Sequence, residues 1–383
     1  MPDWGGTSPV CGDCPRFRPY AHLHWQCIVQ DLLAMTFLSK PRFPRLSFLA
    51  AAIASVSIFP AHGQPVVQSV GSQGFDAYLQ SVAARARREG VSDATIAKVL
   101  TGLTPNQRVV DLDSAQPNRS SSPPPVGPYI AQHVGPSIIA RGRDRYAQNA
   151  SILPAIEQRY GVPAKMLFAI WGHETNYGSY VGDFDLARSL ATLAWEGRRR
   201  QLFENELIAL MKMVDQGVPT YKLKGSWAGA FGYPQFLPSV YLRIAVDGDG
   251  NGTRDIFSSP ADTLASIANY FRDAGWRRGQ PWGVRASLPS GFAASSYATK
   301  LTAPTCAAVH ARHGQWRSVA EWRALGVSPL GPIGDDVQAS LFQPDGAGTP
   351  AYLLTGNYRV ILQYNCSNYY ALSVGLLADE IAR

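Results

Sequence analysis

Cysteine is scarce in this chain, and the few cysteines present argue against a metal or redox centre. There are five in 383 residues. Cys11, Cys14 and Cys27 lie near the start, and the lone Cys-x-x-Cys there lacks the partners that a zinc or thiol-redox site needs. Internal repeats are also absent, so no repeat architecture is expected. The net charge is +7, yet no recognised nucleic-acid motif accompanies it, and no nucleic-acid partner is expected. An acidic polymer stays compatible with that charge. The densest basic run, Arg198-Arg199-Arg200, reads as a solvated helix face, with an anion site as the alternative. Hydrophobic residues make up 46%, which permits a sizeable core and excludes wholesale disorder.

What is present begins with a targeting pattern. Lys40, Arg42 and Arg45 precede an apolar stretch at residues 46–59, and Ala61-His62-Gly63 supplies small residues of the A-x-A cleavage type before Gln64. This is the order of a secretory signal peptide, and the apolar stretch is too short for a comfortable membrane span. No cysteine lies just after the cleavage site, so a lipid anchor is not expected there, and no transmembrane anchor is expected after signal cleavage. Met35 makes a more ordinary start than Met1. Residues 1–63 are therefore expected to be an upstream extension plus signal peptide, and the mature chain is expected in a periplasm. Only Cys306 and Cys366 would remain after cleavage, and in an oxidising compartment they form a plausible disulfide. Closing a loop of about 60 residues would contribute roughly 4 kcal/mol on the chain-entropy model.

Residues 64–127 read as N-terminal helices followed by a strap. Phe75, Tyr78, Leu79, Val82 and Ala86 share one helical face, Gly90 is a stop, and Ser92 could cap a second helix ending near Leu100. Residues 107–126 are polar and proline-rich and suit a linker or an extended strap. Residues 128–383 read as one catalytic region. Helices are expected at 138–150, 153–160, 186–195, 201–215, 262–273 and 370–382. A small β insertion is expected at about 284–362, with short strands at 351–354 and 358–364. The sum is an α+β, mainly α, fold.

Glu174 is the most informative residue. In the segment from Pro163 to Glu174, Leu167, Ile170, Trp171 and Glu174 point the same way at 100° per residue. A carboxylate on an apolar stripe is disfavoured in its charged form, which raises its pKa and suits a general acid. The alternative is a buried Glu paired with an Arg or with backbone amides. His173-Glu174 begins like a zinc-protease motif, but the second histidine is replaced by Tyr177, so that reading fails.

Further on, Gly225-Ser226-Trp227-Ala228-Gly229-Ala230-Phe231-Gly232-Tyr233-Pro234-Gln235 leaves backbone open to close approach and offers aromatic faces to a sugar ring. Near the end stands Tyr364-Asn365-Cys366-Ser367-Asn368-Tyr369-Tyr370. With Glu174-Thr175-Asn176-Tyr177-Gly178, this set resembles the lytic murein transglycosylases of the membrane-bound B type, which have a lysozyme-like fold. The resemblance covers nearly all of residues 70–383. It implies that Glu174 is the single catalytic acid. It also implies that Ser226, Gln235, Tyr270, Tyr364, Asn365 and Tyr370 line the cleft around the scissile sugar. For each tyrosine, core packing with a satisfied hydroxyl is the alternative. One departure is Gln363, where relatives usually carry Lys or Arg.

Asp247-Gly248-Asp249-Gly250-Asn251-Gly252-Thr253 looks like the start of an EF-hand loop, with oxygen ligands at positions 1, 3 and 5 and Gly at 6. Ser258 stands at position 12 instead of Glu. The resemblance implies a variant loop with the last carboxylate displaced to Asp262, holding a structural calcium or sodium ion; a metal-free glycine-rich turn is the alternative. No cofactor is implied for catalysis. The implied partner is the peptidoglycan glycan strand, cleaved between N-acetylmuramic acid and N-acetylglucosamine with formation of a 1,6-anhydro sugar. Hydrolysis by a muramidase, or a non-catalytic wall-binding module, are the competing readings.

Overall fold

The structure, a computed structural model, describes residues 70–116 and 124–381. The targeting segment, Cys11, Cys14, Cys27 and residues 117–123 of the expected strap lie outside the described residues.

Helix α1 (Val70–Arg88) buries Phe75, Tyr78, Leu79, Val82 and Ala86 on the face that the sequence predicts. Ser92 caps α2 (Asp93–Leu100), its side chain accepting from the Thr95 amide. The stretch expected to be an extended strap instead opens with a helix, α3 (Gln107–Ser114). The reason is a buried ion pair. Asp113 on α3 is nearly inaccessible, and both Arg198 and Arg199 bond to its carboxylate. The basic run is therefore not simply a solvated face. An isolated buried carboxylate would be costly, and two guanidinium partners offset that cost.

Helices α4 (Val126–His133), α5 (Pro136–Gln148) and α6 (Leu153–Tyr160) lead to α7 (Ala164–Thr175). The α7 helix is the centre of the body, packed by α5, α6 and two later helices. Met166, Leu167, Phe168, Ile170 and Trp171 on it are all fully buried, each contributing about 1.5–3 kcal/mol through apolar burial. A two-residue ribbon pairs β1 (Phe184–Asp185) with β2 (Lys224–Gly225), flanking α8 (Leu186–Glu196) and α9 (Arg200–Asp215). Then come α10 (Pro238–Ile244) and α11 (Pro260–Asp273).

The insertion comprises β3 (Gly283–Ser287), α12 (Ala307–His310), β4 (Trp316–Ser318), α13 (Val319–Ala324), β5 (Ser328–Pro329), β6 (Gln338–Phe342) and β7 (Ala351–Leu354). Its antiparallel sheet has the order β4-β6-β7-β3-β5. Val284, Trp322, Leu341 and Leu353 form a small core separate from the main one.

The chain then returns to the helical body through α14 (Gly356–Tyr364) and α15 (Asn368–Ile381). Residues 358–364 are thus helical, not a strand. The run is rich in aromatic and β-branched residues, which favour strands. Thr355, however, accepts from the Asn357 amide as an N-cap, and only Arg359 and Gln363, four residues apart, escape full burial within 358–364. That spacing is a helix face, and three consecutive buried residues, Val360, Ile361 and Leu362, do not fit an alternating strand. The expected β insertion accordingly ends at Leu354.

Candidate active site

Helix α7 ends where the core opens. Asn176 closes it in the left-handed conformation (φ 50°), and Tyr177 follows at φ 59°. Two successive non-glycine residues in that region are a costly local choice, of a kind concentrated at functional sites. The turn stops the apolar stripe one step after Trp171, so Glu174 is half-buried rather than enclosed. Its side chain faces a cavity of about 410 Å³.

Three pieces of chain wall this cavity. The break between α4 and α5 supplies His133 and Ser137, the loop after α7 supplies Tyr180 and Gly182, and the glycine-rich loop supplies Ser226 and Gln235. Gly182 is required: a Cβ there would collide with the carbonyl of Gly225 across the ribbon. Ser226 is buried and uses its hydroxyl to accept from the Ala230 amide at 2.9 Å, which shapes the loop. Gln235, at φ 50°, donates from Nε2 to the carbonyls of Gly232 (2.9 Å) and Val181 (3.2 Å). Gln235 also lines the cavity. Among the residues lining the cavity, Glu174 is the only carboxylic acid.

Tyr370, on α15, donates its hydroxyl to Glu174 Oε1 at 2.5 Å. Burial, reinforced by the adjacent Glu174 carboxylate, holds the Tyr370 phenol well above its ordinary value, so it remains a donor. Behind it stands a ladder of rings. His173 meets Tyr370 edge-on with centroids 4.4 Å apart, His133 stacks on His173 at 4.7 Å, and Tyr129 stacks on His133 at 4.0 Å. His173 Nε2 pairs with Ser373 Oγ at 2.8 Å, and Ser373 in turn donates to the Tyr370 carbonyl. Burial, with His133 alongside, pushes the His173 imidazole well below its ordinary value, keeping it neutral.

Like Tyr370 and Asn365, and contrary to expectation, Tyr270 and Tyr364 do not line the cavity. Both are fully buried, donating to the carbonyls of Gln363 (2.8 Å) and Pro234 (2.5 Å). Their rings pack edge-on at 4.7 Å, and the Tyr364 ring is stacked parallel to that of Tyr370. They form a layer under the catalytic wall. Asn365 is buried in the same layer. Cys366 is disulfide-bonded to Cys306 beside it. His313 Nε2 pairs with Asn368 Oδ1 at 2.7 Å, so the insertion is knitted to the segment carrying Tyr370.

The acidic loop lies elsewhere. Single oxygens of Asp247, Asp249 and Asp262 all fall within 4.8 Å of one another. Asp262 is fully buried, and burial followed by the neighbouring Asp249 and Asp247 charges pushes its carboxyl up, despite amide bonds from Gly248 and Asp255. Asn251 Oδ1 accepts from Thr253 within the loop. Three hard oxygen donors so close, one of them unable to reach solvent, fit a divalent cation of the calcium type.

The sequence pointed to Glu174, Ser226, Gln235 and Tyr370, but not to the α4–α5 wall. The Gly135-Pro136 break was its only signal: it ends one helix and starts another at the cavity edge.

A helical body presenting one carboxyl group over a glycine-floored cleft, with a sheet insertion bracing its wall, defines an enzyme of lysozyme-like, lytic transglycosylase fold. Similarity to known proteins agrees. The chain is 31% identical over 309 residues to the membrane-bound lytic murein transglycosylase B of Escherichia coli, covering 77% of this chain and 80% of that protein. SltB3 from Pseudomonas aeruginosa, solved in complex with NAG-anhNAM-pentapeptide, matches with a TM-score of 0.73 at 40% identity, over 81% of this chain and 80% of that one. The Escherichia coli lytic transglycosylase SLT35, solved in complex with calcium, matches with a TM-score of 0.65 at 27% identity, over 82% of this chain and 94% of that one. The family described as Transglycosylase SLT domain matches residues 74–379, and the chain belongs to it. It is a peptidoglycan lytic transglycosylase, a lyase.

Proposed function

We propose that this enzyme cleaves the β-1,4 bond between N-acetylmuramic acid and N-acetylglucosamine in peptidoglycan, leaving a 1,6-anhydro-N-acetylmuramic acid end, with Glu174 as its one acid and base. The observation that carries this reading is the solitary carboxyl group in the cavity. Two-carboxylate glycosidases place a second acid across the bond as nucleophile or base, and here no such group lines the cavity. A single carboxyl group suffices when the substrate supplies the rest. Glu174 protonates the glycosidic oxygen as the bond breaks, and the substrate's acetamido group stabilises the positive centre at C1. The Glu174 carboxylate then takes the proton of the C6 hydroxyl as that oxygen attacks C1. No water is consumed, and the proton returns to Glu174. The SltB3 complex with an anhydro-muramyl ligand supports this product.

Tyr370 suits both halves of the cycle. A hydroxyl donated to Oε1 persists whether Glu174 is ionised or carries its proton on Oε2, so the carboxyl group keeps one orientation. Ser226 and Gln235 line the substrate side, while Tyr270, Tyr364 and Asn365 support it from beneath. Asp247, Asp249, Asn251, the Thr253 carbonyl and Asp262 hold a structural calcium or sodium ion that offsets the charge gathered around Asp262. Residues 128–383 form the catalytic region, acting in the periplasm after export. No described helix is long and apolar enough to cross a membrane.

Glu174→Gln tests the assignment. Digestion of purified peptidoglycan followed by mass spectrometry should give anhydro-muropeptides with the native enzyme. The variant should lose activity by about 10²–10⁴-fold or more, as expected for removal of a general acid. Reducing-end products would establish a hydrolase instead, and retained activity would remove Glu174 from the mechanism.

A further inference from the structure

A second cavity, of about 270 Å³, is lined in part by residues of the β1–β2 ribbon. The two cavities are neighbours along the chain. Gly182 lines the first and Asp183 the second, while Ser226 lines the first and Lys224 the second, with only Gly225 between them. Adjacent residues of one ribbon thus line both cavities, so a group attached to a sugar in the first is next to the second.

The second cavity is charged, and two of its charges are uncommitted. Arg108 sits over the Phe184 ring, its guanidinium carbon 5.0 Å from the ring centroid, and forms no ion pair among the described residues. Asp183 is exposed and likewise has no ion-pair partner or side-chain hydrogen bond among the described residues. The other charges are engaged: Asp185 caps α8 by accepting from the Arg188 amide and pairs with Lys224, and Arg188 donates to the carbonyls of Thr104 and Pro105. Asn106 sits at the N-cap of α3 yet makes no side-chain capping bond, and the residue lines the same cavity. A capping amide is worth about 1 kcal/mol to a helix, so leaving it unmade keeps the amide available to a ligand.

A free cation held on a ring and a free carboxylate in one small cavity complement a group carrying both a carboxylate and an ammonium. We propose that this cavity binds the zwitterionic amino-acid portion of the peptide stem attached to the muramyl sugar. Arg108 takes its carboxylate through a forked guanidinium contact, Asp183 takes its ammonium, and Asn106 bonds the intervening peptide. Three extended residues reach about 10 Å, which fits a stem that starts on a sugar beside Gly182. This inference rests on the proposed function.

The test compares two substrates: glycan strands with intact stems, and the same strands stripped of stems by an amidase. Arg108→Gln and Asp183→Asn are each assayed on both, with 1,6-anhydro-muramyl ends counted. Both sites are exposed, so thermal melting should match the parent. On stemmed strands KM should rise roughly 1.5- to five-fold, the range for charge pairs near a surface, with kcat unchanged. On stripped strands neither variant should differ from the parent. Equal losses on both substrates, no loss on either, or an effect of one variant without the other would overturn the proposal. Failure of the parent enzyme to release anhydro ends would instead count against the proposed function.

Discussion

Tyr370→Phe isolates a single interaction at the reacting group. The substitution removes one oxygen atom and leaves the ring, so the edge-on contact with His173 at 4.4 Å and the stack against Tyr364 are retained. What is lost is the hydroxyl donated to Glu174 Oε1. The magnitude follows from how that bond changes along the reaction. On the proposed mechanism Glu174 is protonated before transfer, so the bond then joins two neutral groups and is worth about 0.5–1.5 kcal/mol. In the transition state Glu174 is becoming a carboxylate, and hydrogen bonds to charged groups are worth about 1.5–3 kcal/mol. Only the difference accelerates the chemical step, about 1–1.5 kcal/mol. At 1.36 kcal/mol per decade, Tyr370→Phe should lower kcat roughly five- to twelve-fold. KM should be nearly unchanged, because the phenol is buried behind the carboxyl group and does not line the cavity. Steady-state release of anhydro-muropeptides from a defined glycan fragment measures both constants. A variant with native kcat, or one whose whole defect lies in KM, would refute the idea that Tyr370 acts through Glu174.

Acid should loosen the insertion. Burial pushes the imidazoles of His313 and His310 down to about 4 and about 3, respectively. A base held below its ordinary value keeps its full stabilising contribution above about pH 6.5, and that contribution is lost as pH falls toward the folded value. For His313 the whole effect is about 3 kcal/mol. The urea midpoint should therefore fall between pH 7 and pH 4.5 more steeply in the native protein than in His313→Gln; parallel pH profiles would contradict this. At the acidic loop, calcium at a hundred times its dissociation constant should stabilise the protein by about 2.7 kcal/mol. A melting temperature that rises when calcium replaces a chelator, and a rise that disappears in Asp262→Asn, are the expected results; no calcium response in the parent protein would argue for a metal-free turn.

Much of this architecture is legible in the sequence because it depends on local periodicity. The buried stripe of α7, the Ser92 cap and the amphipathic face of α1 each need only a few consecutive residues to be read. The unreadable parts depend on partners far along the chain. Asp113 looks like part of a polar linker until Arg198 and Arg199 arrive from 85 residues away. The strand-like run after Thr355 becomes a helix because the body buries all of it except one face.

The tyrosines show the same limit at the site. Tyr270, Tyr364 and Tyr370 are equivalent as letters in a motif, but the structure divides their work by depth. Tyr370 reaches the acid, whereas Tyr364 fixes the glycine-rich loop through the Pro234 carbonyl, next to Gln235, and Tyr270 ties α11 to the end of α14 through the Gln363 carbonyl. Tyr270 and Tyr364 are fully buried and lie outside the cavity lining, so of the three only Tyr370 meets the proposed acid. The other two bond backbone carbonyls, Tyr364 that of Pro234 beside Gln235 and Tyr270 that of Gln363 at the end of α14. For the proposed single-carboxylate mechanism they are therefore positioning residues beneath the cleft, and the chemistry itself falls to Glu174 with Tyr370.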